Sequence, residues 1–593
     1  MKKQINLCAI VWGFMLWALP QAGCAQSQDH IIRCKGTRKV IDVLDWSMKD
    51  STDLILYQGF KAADNQRWII EPEGNYVRLL SVLNGKAMTL MPGSISGRFK
   101  VVQCEKGLCD DPNKQLWEMK KIGNDYRIRS KYNNYTLATE DNRNLLLLPE
   151  VKKEAALWKL VSPGNNMLSR EEVQEDIDFF IKTLEENHVN PYFKVPKDTI
   201  LKALQVIVDH APMTEEMFGT LLSQTNHFFD GHTHVIFNNQ SKIDQYLKEG
   251  GMFFPPVILG GDSTVFLPDS TYGMTRINSI NGIMVRSILQ TMSNVSGIES
   301  SDYKNCRIQT SFSPLLIEWC NIASPFRITG ENANGKVEYT VIGLTKEYFD
   351  KIKPVEVPQS RVDQALRSFF YDANSIAVLQ YNSCANNRLG DIDVYLTDFF
   401  RKVREKNIRY LFIDVASNGG GNSGNNNYIF KYLKHNTLYA SYRVTTKLSK
   451  SLSDYGKIEN GAIVDSLNNL YTMEYNDTTL AQQEGFSGKL FVLQSRFTYS
   501  AANDFSVFVK QNRLAVIAGE PTGQPLHGYI DSKGDFLPNS GIFFNYSFKH
   551  YEYLGIDCPT ESVCPDIPIE IGCEVPDEFP VELLKKIIVK SKE

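Results

Sequence analysis

The sequence predicts a multidomain chain: an all-β unit, a helical cap, a second β-rich segment and a C-terminal α/β unit. Three observations predict it. Trp68, Trp117 and Trp158 recur 49 and 41 residues apart among short alternating runs and turn residues, the mark of a repeated β unit. Ser169-x-x-Glu172 is a capping-box pattern ahead of Val173, Ile177, Phe180, Ile181 and Leu184 at helical spacing. From about residue 360, apolar strand segments alternate with helical ones and end in glycine-rich or small-residue loops. At 593 residues the chain exceeds one core. Its net charge of -4, with no basic run, argues against nucleic acid as a partner.

Lys2 and Lys3, the apolar stretch Ile5 to Leu19 and the small residues Ala22-Gly23-Cys24-Ala25 read as an export signal over residues 1–25. Cleavage before Cys24 with lipid on its thiol would give a lipoprotein, since Ala-Gly-Cys resembles the end of a bacterial lipobox, although Gln21 stands where an aliphatic residue is usual. Cleavage after Ala25 would give a free secreted protein. The expected location is periplasmic, outer-membrane or cell-surface, or secreted. No later segment reaches the ~18 apolar residues of a membrane span, so a lipid is the expected membrane contact. Of eleven cysteines, nine remain beyond Cys8 and Cys24. Cys104/Cys109, Cys306/Cys320 and Cys558/Cys564 are close enough in sequence to bridge in an oxidising compartment. They lack C-x-x-C spacing with nearby histidines, so no zinc is expected, and no other metal or cofactor is implied.

Residues 28–163 form the first predicted domain. The motif Gln66-Arg67-Trp68 returns as Gln115-Leu116-Trp117 and, with a departure, as Ala156-Leu157-Trp158. Three such copies resemble the ricin-type β-trefoil lectins, which implies tryptophans in a shared core and a glycan-binding module. Pro163-Gly164-Asn165-Asn166 reads as a linker. The helical cap covers 168–240, with further helices near Thr199–Val208 and after Thr214. It ends in Asp230-Gly231-His232-Thr233-His234, which sets His232 at a turn-to-strand junction. Residues 250–350 read as β-rich. Ile280-Asn281-Gly282-Ile283-Met284-Val285 resembles a PDZ-like turn, and a plain hairpin turn explains Asn281-Gly282 equally well.

In the α/β unit, 360–590, strand Arg409–Val415 runs into Asn418-Gly419-Gly420-Gly421. Strand Leu490–Leu493 leads to Tyr499-Ser500-Ala501-Ala502 and a helix. Ser500 thus sits at a helix N-terminus, where N–H groups and the dipole favour negative charge. The Ala501 N–H, with Gly420 as a second donor, would form an oxyanion hole. These segments, with Gly519-Glu520-Pro521-Thr522-Gly523, Leu537-Pro538-Asn539-Ser540 and Pro565-Asp566-Ile567, resemble the tail-specific and tricorn-core serine peptidases. The resemblance implies a ClpP/crotonase-like core. The Lys that serves as base in the tail-specific branch would fall at Pro525, and none lies nearby. The tricorn-like branch implies a Ser-His-Glu triad of Ser500, His232 and Glu561. His527 is the rival base and Glu552 the alternative carboxylate. His234 reads as structural, and His188, His210 and His227 as helix or cap residues without chemistry. The expected activity is peptide-bond hydrolysis through an acyl-enzyme on a peptide or protein substrate. The alternative is a surface protein that captures glycans or peptides without turnover.

Overall fold

The computed structural model describes residues 29–592 except 58, 60–62, 94–98, 124, 141–142, 150–153, 162–166, 238–239, 261–262, 270, 272, 434–436, 450–451, 453–461, 481–484, 557 and 559–560. The export segment, with Cys24, and the linker at 163–166 lie outside the described residues. The chain divides into two compact units. One runs to Phe179 and adds Val206–Phe218 and Phe536–Ile542; the other holds the remainder.

In the first unit, twelve strands between Asp29 and Val161 pair into one sheet. Each tryptophan follows a 3-10 turn: Asp64–Gln66, Pro112–Gln115 and Glu154–Ala156. All three indoles are wholly buried in one cluster with Ile32, Leu79 and Ile128. A buried indole N–H needs an acceptor, and each finds a backbone carbonyl: Trp68 to Ile41 at 3.1 Å, Trp117 to Met88 at 3.1 Å, Trp158 to Leu137 at 3.0 Å. The same bond made three times gives the trefoil its common core geometry. The residue after each acceptor differs. Asp42 takes the Gln66 amide at 2.7 Å, Thr89 takes the Gln115 amide at 3.1 Å, and Ala138 is matched by the departure Ala156. The capping box also forms, with Ser169 Oγ accepting from the Glu172 N–H at 3.2 Å and Glu172 accepting from the Ser169 N–H at 3.0 Å. The helix it opens is Arg170–Asn187. The N–H groups of Asn539 and Ser540, in one of the motif segments, donate to the Asp176 carboxylate, so that segment is structural.

In the second unit, strands Ile258–Gly260, Thr264–Asp269, Gly273–Ile280, Ile283–Met284, Phe326–Asn332 and Gly335–Val341 form one sheet over Phe254, Ile277 and Ile288. Asn281 (φ 50°) and Gly282 (φ 80°) make a two-residue hairpin with both φ positive. The β-rich reading missed three helices inserted here, Val285–Asn294, Ser301–Thr310 and Phe312–Cys320. Ser300 caps the second by accepting the Tyr303 N–H at 3.3 Å.

The α/β core is a sheet of parallel strands Ile376–Tyr381, Tyr410–Asp414, Lys489–Gln494, Val516–Gly519 and Ile567–Pro568, with Leu366–Tyr371 antiparallel at one edge. Leu379, Leu411 and Val492 pack with Phe505 on one face, while Val378, Phe412 and Phe491 pack with Leu584 on the other. Burial on both faces is why these strands read as unbroken apolar runs. A separate antiparallel sheet joins His234–Ile236, Phe543–Tyr553, Thr437–Lys447 and Leu470–Leu480.

The cysteine expectation is corrected. Cys306 bonds Cys573, 267 residues away, and Cys320 is a free thiol whose pKa burial pushes up to about 12. Cys306 and Cys320 stand on different helices, so nearness in sequence does not bring their sulfurs together. Cys104, Cys109, Cys558 and Cys564 are free thiols as well. Among the described residues no helix is long and apolar enough to cross a membrane.

Candidate active site

Strand Lys489–Gln494 ends in a tight turn that enters helix Ala501–Gln511. The turn is held by the Thr498 hydroxyl donating to Val415 O at 2.9 Å and the Tyr499 N–H donating to Asn418 O at 3.0 Å. Ser500 stands at its apex with φ 52° and ψ −127°. A non-glycine residue pays strain there, and a strained strand-to-helix turn is the device that presents a nucleophilic hydroxyl. The Ser500 side chain does not cap the helix, so its hydroxyl is not spent on the common role of a serine at a helix start. Its N–H donates to Gln524 Oε1 at 2.7 Å.

Gly420 (φ 102°) lies against this turn. A Cβ at Gly420 would come within 2.6 Å of Ser500 Cβ and 2.9 Å of Ala501 N, so only glycine allows the approach. The expectation that the Gly420 N–H serves as an oxyanion donor is corrected: it donates to Asn418 Oδ1 at 2.8 Å. The Ala501 N–H has no acceptor among the described residues. Asp414, at the end of its strand, is wholly buried and paired with the equally buried Arg361 at 2.7 Å. Glu520, in the glycine-rich loop, pairs with Arg496 at 2.5 Å and accepts the N–H groups of Ile571 and Gly572. Both are struts for the loops around Ser500.

His232 is delivered by the loop before edge strand His234–Ile236, whose residue His234 registers with Asn545. The loop is anchored at Asp230, which is buried and accepts from the His232 N–H at 2.9 Å, the Ser547 hydroxyl at 2.8 Å and His188 Nε2 at 2.9 Å. His188 Nδ1 accepts the Asn190 N–H at 3.0 Å, which leaves Nε2 as the ring nitrogen that donates to Asp230. Burial alone would raise the Asp230 pKa, but the hydrogen bonds from His188 and Thr233 outweigh it and hold the carboxyl well below its usual range. His188 therefore has a positioning role that its helical pattern did not reveal. The His232 ring stacks on Tyr499, centroids 5.4 Å apart and planes at 30°. Its Nδ1 is buried with no partner among the described residues. No hydrogen bond joins it to Ser500 or to Glu561 among the described residues.

The rival base His527 uses its Nδ1 to accept the Tyr553 N–H at 3.1 Å. Its neutral form then carries the proton on Nε2 and has no free lone pair for a serine. The alternative carboxylate Glu552 is bound to Arg443 at 3.1 Å within the antiparallel sheet. Glu561 is exposed, on a segment whose carbonyl accepts the Leu526 N–H at 2.5 Å. Glu299, unremarked in the sequence, binds the turn from the other side. It accepts the Gly231 N–H at 2.6 Å and the Tyr499 hydroxyl at 2.8 Å, tying the His232 loop to the Ser500 turn. A cavity of about 560 Å³ opens here, lined by Lys194, His227, Glu299, Lys304, His527 and Glu561 among others. No group of three or more His, Cys, Asp or Glu able to hold a metal occurs among the described residues.

Comparison with known proteins places two family models on the chain: "Peptidase family S41" over residues 375–567 and "Ricin-type beta-trefoil lectin domain-like" over 64–145. No curated protein matches. Among solved structures, mature CPAF in complex with lactacystin is 13% identical, with 68% of this chain and 94% of that one covered, at a TM-score of 0.43. The photosystem II D1 C-terminal processing protease is also 13% identical, over 70% and 95% of the two chains, at 0.34. The designed threefold-symmetric protein ThreeFoil is 21% identical, over 23% of this chain and 98% of that one, at 0.21. The chain thus joins a ricin-type β-trefoil lectin-like domain to a peptidase family S41 domain and is a serine-type peptidase.

Proposed function

We propose that this is an exported peptidase that cleaves peptide bonds through an acyl-enzyme on Ser500, with His232 as general base and Glu561 as the carboxylate that orients it. The observation that carries the reading is the strained Ser500 turn, whose serine hydroxyl does not cap the helix and whose Tyr499 stacks on the His232 ring. Ser500 Oγ attacks the peptide carbonyl carbon while His232 takes its proton. The oxyanion forms against the Ala501 N–H, with Gly419 or Gly421 as the second donor. The C–N bond breaks as His232 returns the proton to the leaving amine, and water then hydrolyses the ester by the reverse roles. Catalytic hydrogen bonds are often open in a resting enzyme and tighten around substrate, which is the role assigned to the unpartnered His232 Nδ1 and the exposed Glu561. The Cys306–Cys573 bridge supports an oxidising compartment, in keeping with residues 1–25 as an export signal and Cys24 as a lipid site or Ala25 as a cleavage site.

The trefoil is proposed to recruit the enzyme to glycans through its first lobe. There Asp42 keeps a carboxylate aligned by Gln66 at 2.7 Å and Asn65 at 3.0 Å. The second lobe keeps only a hydroxyl, and the third keeps neither group. A fluorophosphonate probe tests the chemistry. Wild type is expected to be labelled, whereas Ser500→Ala loses the label and at least about 10⁴-fold of peptide turnover. Labelling unchanged by that substitution removes Ser500 from the mechanism.

A further inference from the structure

The cavity beside the active-site turn contains two ammonium groups with no carboxylate in ion-pair range among the described residues. Lys304 lies on the first turn of helix Ser301–Thr310, half-buried, and no hydrogen bond or ion pair engages its Nζ among the described residues. Lys194 enters the same cavity, its Nζ donating to Phe229 O at 2.5 Å. Neither of the cavity's two carboxylates forms an ion pair with them among the described residues. Glu299 is taken by the Gly231 N–H and the Tyr499 hydroxyl, and Glu561 stays exposed. His227, also on the wall, gives its Nδ1 to Gln224 O at 2.8 Å. Lys194 is exposed, whereas Lys304 is partly buried; burying a cation without a partner costs free energy, so Lys304 marks a place where an anion is missing.

The helix is tied to the α/β core twice. Tyr303 packs on Phe497 and Tyr499, with ring centroids 5.2 and 6.2 Å apart, and Cys306 is bonded to Cys573. The cavity wall also includes Pro525, next to the Gln524 that accepts the Ser500 N–H. A group held by Lys304 therefore lies next to the turn that carries Ser500.

We propose that Lys304, seconded by Lys194, binds a carboxylate of the peptide substrate and so sets specificity near the scissile bond. The inference rests on the peptidase reading and deepens it. Burial and the neighbouring Lys194 charge press the Lys304 pKa below its usual value, with the Glu299 charge opposing them in part, and an arriving carboxylate relieves the two costs. A carboxylate can come from an Asp or Glu side chain or from the peptide's C-terminus, and both present the same two oxygens to an ammonium group.

The test uses the full-length chain and fluorescent peptides in three forms. One form carries Glu at successive positions and a C-terminal amide. The second carries Gln at those positions with the amide. The third is the Gln peptide with a free C-terminal carboxylate. Binding is measured by polarisation on Ser500→Ala, and turnover on wild type. A carboxylate-bearing peptide is expected to bind about ten- to hundredfold more tightly than its neutral counterpart. Adding Lys304→Gln should abolish that preference and leave neutral peptides bound as before, while Lys304→Arg retains part of it, which separates charge from misfolding. Preference in the Glu form assigns the site to a side chain, and preference in the free-acid form assigns it to the C-terminus. Absence of any preference, or a preference that survives Lys304→Gln, overturns the proposal. If wild type cleaves none of the peptides while the Lys304-dependent preference persists, the peptidase reading fails and the carboxylate site stands.

Discussion

The trefoil tryptophans and the active-site turn treat buried polar groups in opposite ways. In the trefoil each indole N–H has its acceptor within the same lobe, and the bond is made three times over. Around Ser500 polar groups are left waiting: His232 Nδ1 and Gln524 Nε2 are buried without partners among the described residues, and the Ala501 N–H has no acceptor there. A folded chain rarely tolerates buried unsatisfied groups without a reason. The three indole N–H groups serve the fold. At the turn the polar groups are held for something that is not part of the fold.

The strongest way to break this comparison is to ask which ring is kept waiting. His232→Ala is expected to lower kcat/KM for a peptide by about 100- to 10,000-fold, the usual worth of a general base. His527→Ala should leave it nearly unchanged, because His527 already spends its Nδ1 on the Tyr553 N–H. The two variants compared on one fluorogenic peptide, with circular dichroism confirming their folding, decide the matter. A large loss in His527→Ala and none in His232→Ala would exchange the roles.

The opposite probe removes a satisfied group. Trp117→Ala deletes a wholly buried indole and strands the Met88 carbonyl. It should destabilise the trefoil by about 3–5 kcal/mol, read from urea unfolding. Hydrolysis of a short peptide should hold up, since the residues assigned to catalysis lie in the other unit. Loss of both together would mean that the trefoil is not a separable module.

The same contrast explains what the sequence made legible. The tryptophans announced themselves because a pseudo-threefold fold must solve one packing problem three times. Ser500 and Gly420 were legible because a strained turn and a close backbone approach restrict residue type. The direction of the Gly420 N–H was not, since it depends on the Asn418 side chain two residues back. Glu299 and Lys304 left no trace because they flank the start of an inserted helix that carries no motif. His188 and Asp230 were read as a cap residue and half of a turn, and their partnership spans 42 positions. The Cys306–Cys573 bond spans 267. Local patterns report on local constraints, and a site assembled from the cap, the inserted helix and the α/β core is mostly non-local.

Asp42 crosses the line between the two regions, because it is a polar group of the trefoil kept at a cost. It is 4% exposed, and burial raises its pKa to about 6 despite the hydrogen bonds from Gln66 and Asn65, which favour the ionised form. That lies above the unfolded value of about 3.9, so the native state binds the proton more tightly. The stabilisation from this group is present in full below about pH 4 and is lost as pH rises through about 6. Asp42→Asn cannot ionise. Its stability relative to wild type should therefore improve by about 2 kcal/mol between pH 4 and pH 7, measured by urea unfolding at both values. The Asn variant should also lose retention on a glycan array, whereas Thr89→Ala keeps it. An equal stability difference at the two pH values would mean that the carboxyl titrates normally and that no penalty is being carried. A stability gain with glycan retention intact would show that Asp42 is held for the fold after all, as the indoles are.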